Sequence, residues 1–212
     1  MNLELSEDQR TFQTLAKTFS DNELKPNAAK WDAECIFPLE TIKKAGELGF
    51  CSLYVSEDNG GMGLSRVDAT IIIEALAAGC TSTTAFMTIH NMATWMVSEF
   101  GSTQLKEKWL QGLNSGSKLA SYCLTEPSSG SDALAAKTKA ELNAEGTHYI
   151  LNGQKMWITN AGFADIFIVF AQIDGDKFTG FIVERELEGF TLGAEEEKLG
   201  IKGSSTRQIF LE

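Results

Sequence analysis

Several things are scarce in this sequence, and each shortage removes a class of protein. Three prolines in 212 residues, with 43% hydrophobic residues, leave neither a proline-rich linker nor a chain too polar to collapse; disorder and collagen-like structure are excluded as the main state. No apolar run approaches the ~20 residues of a membrane-spanning helix, and no secretory signal opens the chain. Lys and Arg number 18 against 29 Asp and Glu, a net charge of −11, and no basic block occurs. Nucleic acid and anionic membranes are poor partners for such a chain. Its two histidines, His90 and His148, have no cysteine pair beside them, so no metal site is expected. Cys35, Cys51, Cys80 and Cys123 are widely spaced. They read as reduced, mostly buried thiols of a cytoplasmic-type compartment, because a chain of this size has no need of staples.

At roughly 100–200 residues per domain, the length allows one large domain or two small ones. The first 115 or so residues read as helices. Ser6 with Gln9 forms a capping box ahead of Phe12, Leu15, Ala16 and Phe19, and Lys25-Pro26 interrupts that helix. A second helix starts at Pro38 and stops at Gly49, and Ser65 with Asp68 caps a third. Two more patterns run over 82–100 and 102–113. Between them, the stretch from Ser56 to Gly63, with Gly60-Gly61-Met62-Gly63, is a loop; it lacks the Lys-Ser/Thr of a phosphate-binding P-loop.

After Lys118 the pattern changes to short β-branched and aromatic runs separated by turn residues. Strands are expected over 119–124, 137–141, 148–151, 154–159, 166–172, 178–183 and 208–211. Asn152-Gly153 and Asp174-Gly175 are hairpin signals. No ordinary helix fits between these strands, so a parallel sheet is disfavoured. The reading is α+β: a helical domain over 1–118, then an antiparallel, barrel-like β domain over 119–212.

His90 lies on an apolar helix and reads as a satisfied core histidine. There is no Gly-x-Ser-x-Gly elbow, and neither histidine has an obvious nucleophile and carboxylate set, which argues against triad hydrolysis. The denser signal is the run from Ala120 to Asp132, where a strand enters a turn rich in Ser and Gly. Free amides and hydroxyls at one strand end can bind a planar heterocycle or a phosphate, although an ordinary turn has the same composition. A second signal is Lys155-Met156-Trp157-Ile158-Thr159-Asn160, where a core Trp is the competing reading.

Together, Tyr122-Cys123-Leu124-Thr125-Glu126-Pro127, Gly130-Ser131-Asp132 and Lys155 to Asn160 resemble, in order and spacing, the acyl-CoA dehydrogenase family. The resemblance covers all 212 residues and extends to Lys198-Leu199-Gly200-Ile201-Lys202-Gly203-Ser204-Ser205-Thr206-Arg207. It implies FAD, held by Tyr122, Cys123, Leu124, Thr125, Glu126, Pro127, Ser128, Ser129, Gly130, Ser131, Trp157, Ile158 and Thr159. Family members commonly carry Gly where Ser128 stands, and a backbone contact survives that change. The amides near Leu124 and Thr125 and the Thr125 hydroxyl would face the flavin pyrimidine edge, Thr159 the N5 edge and Trp157 the ring face away from substrate. Ser131 would also touch the pantetheine of acyl-CoA.

The implied reaction is α,β-dehydrogenation of an acyl-CoA thioester, with electrons passed to electron-transfer flavoprotein. The family's glutamate base belongs to a carboxy-terminal helical bundle, so no catalytic residue is assigned. The chain reads as the amino-terminal part of a dimeric or tetrameric enzyme, cytoplasmic or of the mitochondrial matrix. The alternative is a flavin- or CoA-binding module without turnover. The helical half looks like isobutyryl-type members and the strand half more like long-chain ones. A short or branched acyl chain is preferred, because helices shape the acyl pocket, with medium and long chains as the alternative.

Overall fold

The computed structural model describes residues 4–175 and 177–212. The chain forms two compact units, one running through Lys118 and taking in Lys198–Ser204, the other comprising Leu119–Glu197 and Ser205–Glu212.

In the helical unit, α1 (Glu7–Phe19) opens on the Ser6–Gln9 capping box and α4 (Arg66–Ala77) on the Ser65–Asp68 box. The two boxes are tied together, since Gln9 Nε2 donates to Asp68 Oδ1 at 2.8 Å. Each box satisfies N–H groups that the first helical turn leaves without partners. Helix α1 passes into a π-helical segment, Ser20–Leu24, before the interruption at Lys25-Pro26, and a short α2 (Ala28–Ala33) follows that the sequence pattern did not announce. Helix α3 (Leu39–Glu47), α5 (Thr81–Phe100) and α6 (Thr103–Asn114) match the remaining patterns. Apolar faces carrying Ala16, Phe19, Leu24, Ile42, Phe50, Ile72, Leu76 and Phe86 are buried.

Two polar residues of α5 are buried with partners. His90 is fully buried, with Nε2 at 2.9 Å from the Leu113 carbonyl oxygen near the end of α6. Asn91 accepts from the Leu53 N–H at 2.7 Å and donates to the Phe50 oxygen at 2.8 Å. His90 is thus a satisfied core residue. Burial pushes the Cys51 thiol up to about 12; Cys80 and Cys123 are also buried and Cys35 is exposed.

The second unit contains β1 (Ala120–Cys123), β2 (Lys139–Leu142), β3 (Tyr149–Thr159), β4 (Ile166–Ile173), β5 (Lys177–Glu184), β6 (Phe190–Glu195) and β7 (Thr206–Leu211). Among the described residues they form one sheet of order β1-β4-β2-β3-β7-β6, with β5 also paired to β4. Pairs β2–β3, β3–β7, β4–β5 and β6–β7 are antiparallel. The all-antiparallel expectation is corrected at β4, where both β1 and β2 run parallel to it. A parallel pair needs a crossover of a dozen or more residues. Here strand β3 and its loops supply it, so no helix is required.

A second correction concerns Asn152-Gly153, which is not a turn: β3 runs straight through it. The β2–β3 turn lies earlier, where Asn143 Oδ1 accepts from the N–H of Thr147 at 2.8 Å and of His148 at 3.1 Å, and Gly146 takes φ 70°. Glycine is needed at 153 for a different reason: a Cβ there would lie 2.8 Å from Thr138 Cα. Asp174-Gly175 does fall in the β4–β5 connection, with both residues at positive φ. Cys123, Ile158, Phe167, Val169, Val183, Ile209 and Leu211 form the core of this unit.

Candidate cofactor-binding site

The site is built where β1 ends. Leu124 and Thr125 lie beyond the last paired residue, Cys123. Glu126 and Ser129 then close a tight turn by exchanging hydrogen bonds, Glu126 N–H to the Ser129 oxygen at 2.8 Å and Ser129 N–H to the Glu126 oxygen at 3.1 Å. The Ser129 hydroxyl donates to the Asp132 oxygen at 2.6 Å. Among the described residues, no hydrogen bond is formed by the N–H groups of Leu124 and Thr125 or by the Thr125 hydroxyl. Backbone donors without a partner are unusual unless a ligand or water takes them.

Behind the turn lies a buried ion pair. Lys155 Nζ stands 2.7 Å from Glu126 Oε1, with the Lys155 side chain fully buried and that of Glu126 only 4% exposed. The same ammonium donates to the Leu124 oxygen at 3.2 Å. Glu126 also accepts from the Lys137 N–H at 2.5 Å and the Thr138 N–H at 2.9 Å. Burial raises the Glu126 carboxyl, but these hydrogen bonds outweigh it and hold the group below its ordinary value. For Lys155 the balance is reversed: burial lowers its value and Glu126 offsets only part of that.

Next to the turn, β3 carries a bulge. Lys155 pairs with Ile209 and Ile158 with Arg207, so three steps on β3 face two on β7. The extra residue breaks the two-residue alternation. Lys155 and Ile158 both point inward, while Trp157 is thrown outward at φ 55° with 61% of its surface exposed. A large side chain at positive φ costs on the order of 1–3 kcal/mol, a strain that clusters at functional sites. The bulge is fastened to the strand end, because the Met156 N–H donates to the Thr125 oxygen at 2.8 Å. Following it, the Thr159 oxygen accepts from Ser121 Oγ at 2.5 Å, and buried Asn160, at φ 71°, donates to the Ala120 oxygen at 3.0 Å.

The residues singled out by sequence thus fall into two sets. Pro127, Ser128, Gly130, Ser131 and Trp157 are exposed, and Tyr122, Leu124, Thr125 and Thr159 are half-buried. The Tyr122 ring packs edge-on against Phe170, and burial raises its phenol. Cys123 and Ile158 turn their side chains into the core, and Ser129 and Glu126 are spent on internal hydrogen bonds. Burial drives the Cys123 thiol to about 12, so it is no nucleophile. Those four shape the site and do not present a side chain to a ligand. Sequence reasoning missed the bracing role of Lys155 and Asn160; a lysine in an apolar strand was the available signal. Among the described residues, no group of three or more His, Cys, Asp or Glu is gathered as a metal site.

Models of the acyl-CoA dehydrogenase N-terminal domain and middle domain match residues 6–117 and 121–212. The chain is 45% identical over 212 residues to the mitochondrial isobutyryl-CoA dehydrogenase of Dictyostelium discoideum, covering 98% of this chain and 50% of that protein. It is 44% identical over 211 residues to the Bos taurus protein of the same name, again covering 98% and 50%. The crystal structure of an acyl-CoA dehydrogenase complexed with FAD from Bacillus anthracis matches with a TM-score of 0.88 and 42% identity, covering 99% of this chain and 36% of that one. The chain spans about half the length of the curated relatives it matches.

Proposed function

The chain belongs to the acyl-CoA dehydrogenase family, and from that premise we propose that Leu124 to Ser131 and Trp157 to Thr159 hold the flavin of FAD in an enzyme that dehydrogenates an acyl-CoA thioester. One observation carries this reading: the strand end that presents the unpartnered N–H groups of Leu124 and Thr125 is tied, through the Thr125 carbonyl, to the bulge that exposes Trp157. Two donors beside an outward aromatic face suit a flat heterocycle with acceptor edges. FAD, when bound, supplies the acceptor for the hydride that leaves the substrate β carbon.

The chain's own contribution is binding and electrostatics. The Leu124 and Thr125 amides and the Thr125 hydroxyl place donors where negative charge collects on the ring, and fixed donors need no reorganisation as that charge develops. Trp157 would cover one face of the bound ring, Thr159 would face its N5 edge, and the exposed Ser131 hydroxyl would be available to pantetheine. Cys123, Glu126, Ser129 and Ile158 act by holding the strand end, the turn and the bulge in shape. Because net charge is −11, the anionic cofactor and substrate are held by these local donors, not by the overall field. The base that takes the substrate α proton is not assigned to any of these residues.

A short or branched acyl chain is the preferred substrate, supported by the 45% and 44% identity to isobutyryl-CoA dehydrogenases. Electron-transfer flavoprotein is the expected electron acceptor and a homodimer or homotetramer the expected assembly, in a bacterial cytoplasm or a mitochondrial matrix. Among the described residues, no helix is long and apolar enough to cross a membrane.

The test uses the protein expressed from its complete reading frame. A bound flavin absorption band that bleaches on adding isobutyryl-CoA is expected, with slower turnover of octanoyl and palmitoyl thioesters; one methylene is worth only ~1–3 kcal/mol. A protein that stays colourless after incubation with FAD defeats the reading. An optimum at palmitoyl overturns the substrate preference alone.

A further inference from the structure

Lys155 puts a cation into the interior of the β unit, which is costly. Its side chain is fully buried, yet no reacting atom need touch it. Taking two charges out of water is repaid only by good geometry and further hydrogen bonds, and an apolar pair of similar volume often serves stability as well. What the pair accomplishes therefore has to be sought in what the ammonium touches.

Its second contact, at 3.2 Å, is the carbonyl oxygen of Leu124. That carbonyl and the Thr125 N–H are the two ends of one planar, delocalised peptide group. A cation at the oxygen end draws electron density toward itself and leaves the N–H at the other end a stronger donor, as in any polarised hydrogen-bond chain. The cation is also immobilised. Glu126 anchors it at 2.7 Å and is itself pinned by the N–H groups of Lys137 and Thr138, so β3 and the segment leading into β2 both brace the strand end.

We propose that Lys155 is a positioning residue that polarises the Leu124–Thr125 peptide, so that the Thr125 N–H favours the more negative, reduced flavin over the oxidised one. This deepens the flavin reading and rests on it. Glu126 is the counter-ion that makes a fixed cation tolerable there without itself facing the ring.

The experiment compares the wild-type protein, expressed from its complete reading frame, with Lys155→Met, Lys155→Arg and the double variant Lys155→Met/Glu126→Gln. The midpoint potential of bound FAD is read by reductive titration, and the Thr125 amide proton shift by NMR on the flavin-free protein. Lys155→Met should lose on the order of tenfold in preference for reduced over oxidised flavin, about 30 mV for a two-electron couple, and move the Thr125 amide proton upfield. Lys155→Arg should recover most of both. A folded Lys155→Met with unchanged potential and unchanged amide shift overturns the proposal. If Lys155→Met does not fold, the double variant, which leaves no unpaired charge, is read in its place. Failure of both to fold would mark the pair as a structural latch and overturn the proposal too. A wild-type protein that takes up no FAD defeats the flavin reading, while the amide shift still decides whether Lys155 polarises the peptide.

Discussion

The two units of this chain solve the same problem of buried polar groups in opposite ways. In the helical unit polar side chains finish what local structure leaves undone: Ser6, Ser65 and Ser102 cap helices, and Asn91 takes up the ends of a nearby loop. In the β unit they oppose local structure. A fully buried lysine sits in a strand, and Trp157 and Asn160 take positive φ three residues apart. The capping rules are obeyed at the ends of α1, α4 and α6, and strand rules are violated around the proposed cofactor site. Backbone strain at Trp157 and Asn160 and the buried Lys155–Glu126 charges therefore coincide at that site.

This contrast is most exposed to challenge at the ion pair. Lys155→Met strands the buried Glu126 carboxylate and should cost about 3–5 kcal/mol in urea unfolding, whereas the double variant with Glu126→Gln should recover much of that loss. If the single and double variants cost the same, the charge is not what matters. The pair also sets an acid dependence. The folded carboxyl of Glu126 lies below its unfolded value near 4.5, so its contribution is complete above that pH and is lost as pH falls through the folded value. The double variant should accordingly show a flatter stability profile than wild type as pH falls below the unfolded value.

Smaller effects separate contact from conformation. Gly153→Ala drives a Cβ to 2.8 Å from the Thr138 backbone and should cost roughly 1–3 kcal/mol. Gly130→Ala, with nothing within 4 Å, should stay within about 0.5 kcal/mol. In the helical unit, Ser65→Ala removes one capping hydroxyl, and about 1 kcal/mol should be lost in thermal melts. Trp157→Gly relieves the positive φ and gives up an exposed ring, for a net stability change within about 1 kcal/mol. FAD affinity should nevertheless fall at least tenfold by fluorescence titration. A stable Trp157→Gly protein with wild-type affinity would remove Trp157 from the site.

Much of the helical unit was legible because its signals are local. A capping box spans four residues and an amphipathic face repeats every turn, so Ser6–Gln9 and Ser65–Asp68 could be read directly and are present in the structure. Short α2 escaped, having neither a side-chain cap nor length enough for a period. In the β unit most strands were legible, but β6 (Phe190–Glu195) escaped, the runs over 148–151 and 154–159 proved to be the single strand β3, and the strand partners were not legible. Asn152-Gly153 has the composition of a hairpin turn, and what decides otherwise is the close approach of Thr138, which only the folded sheet brings beside β3. Gly153 is there for contact, not for turning. The bulge at Met156–Trp157 was invisible for the same reason, since it is defined only against β7.

From the amino-acid order alone follow the succession of helices then strands, the motif that relates the chain to its family and the net charge of −11. These depend on residues near one another or on sums over the chain. Only the folded arrangement makes β1 and β2 run parallel to β4, turns Trp157 outward, and brings Lys155 to the Leu124 carbonyl across 31 residues of chain. Each of these depends on strand register, and register is set by the packing of distant segments into one core.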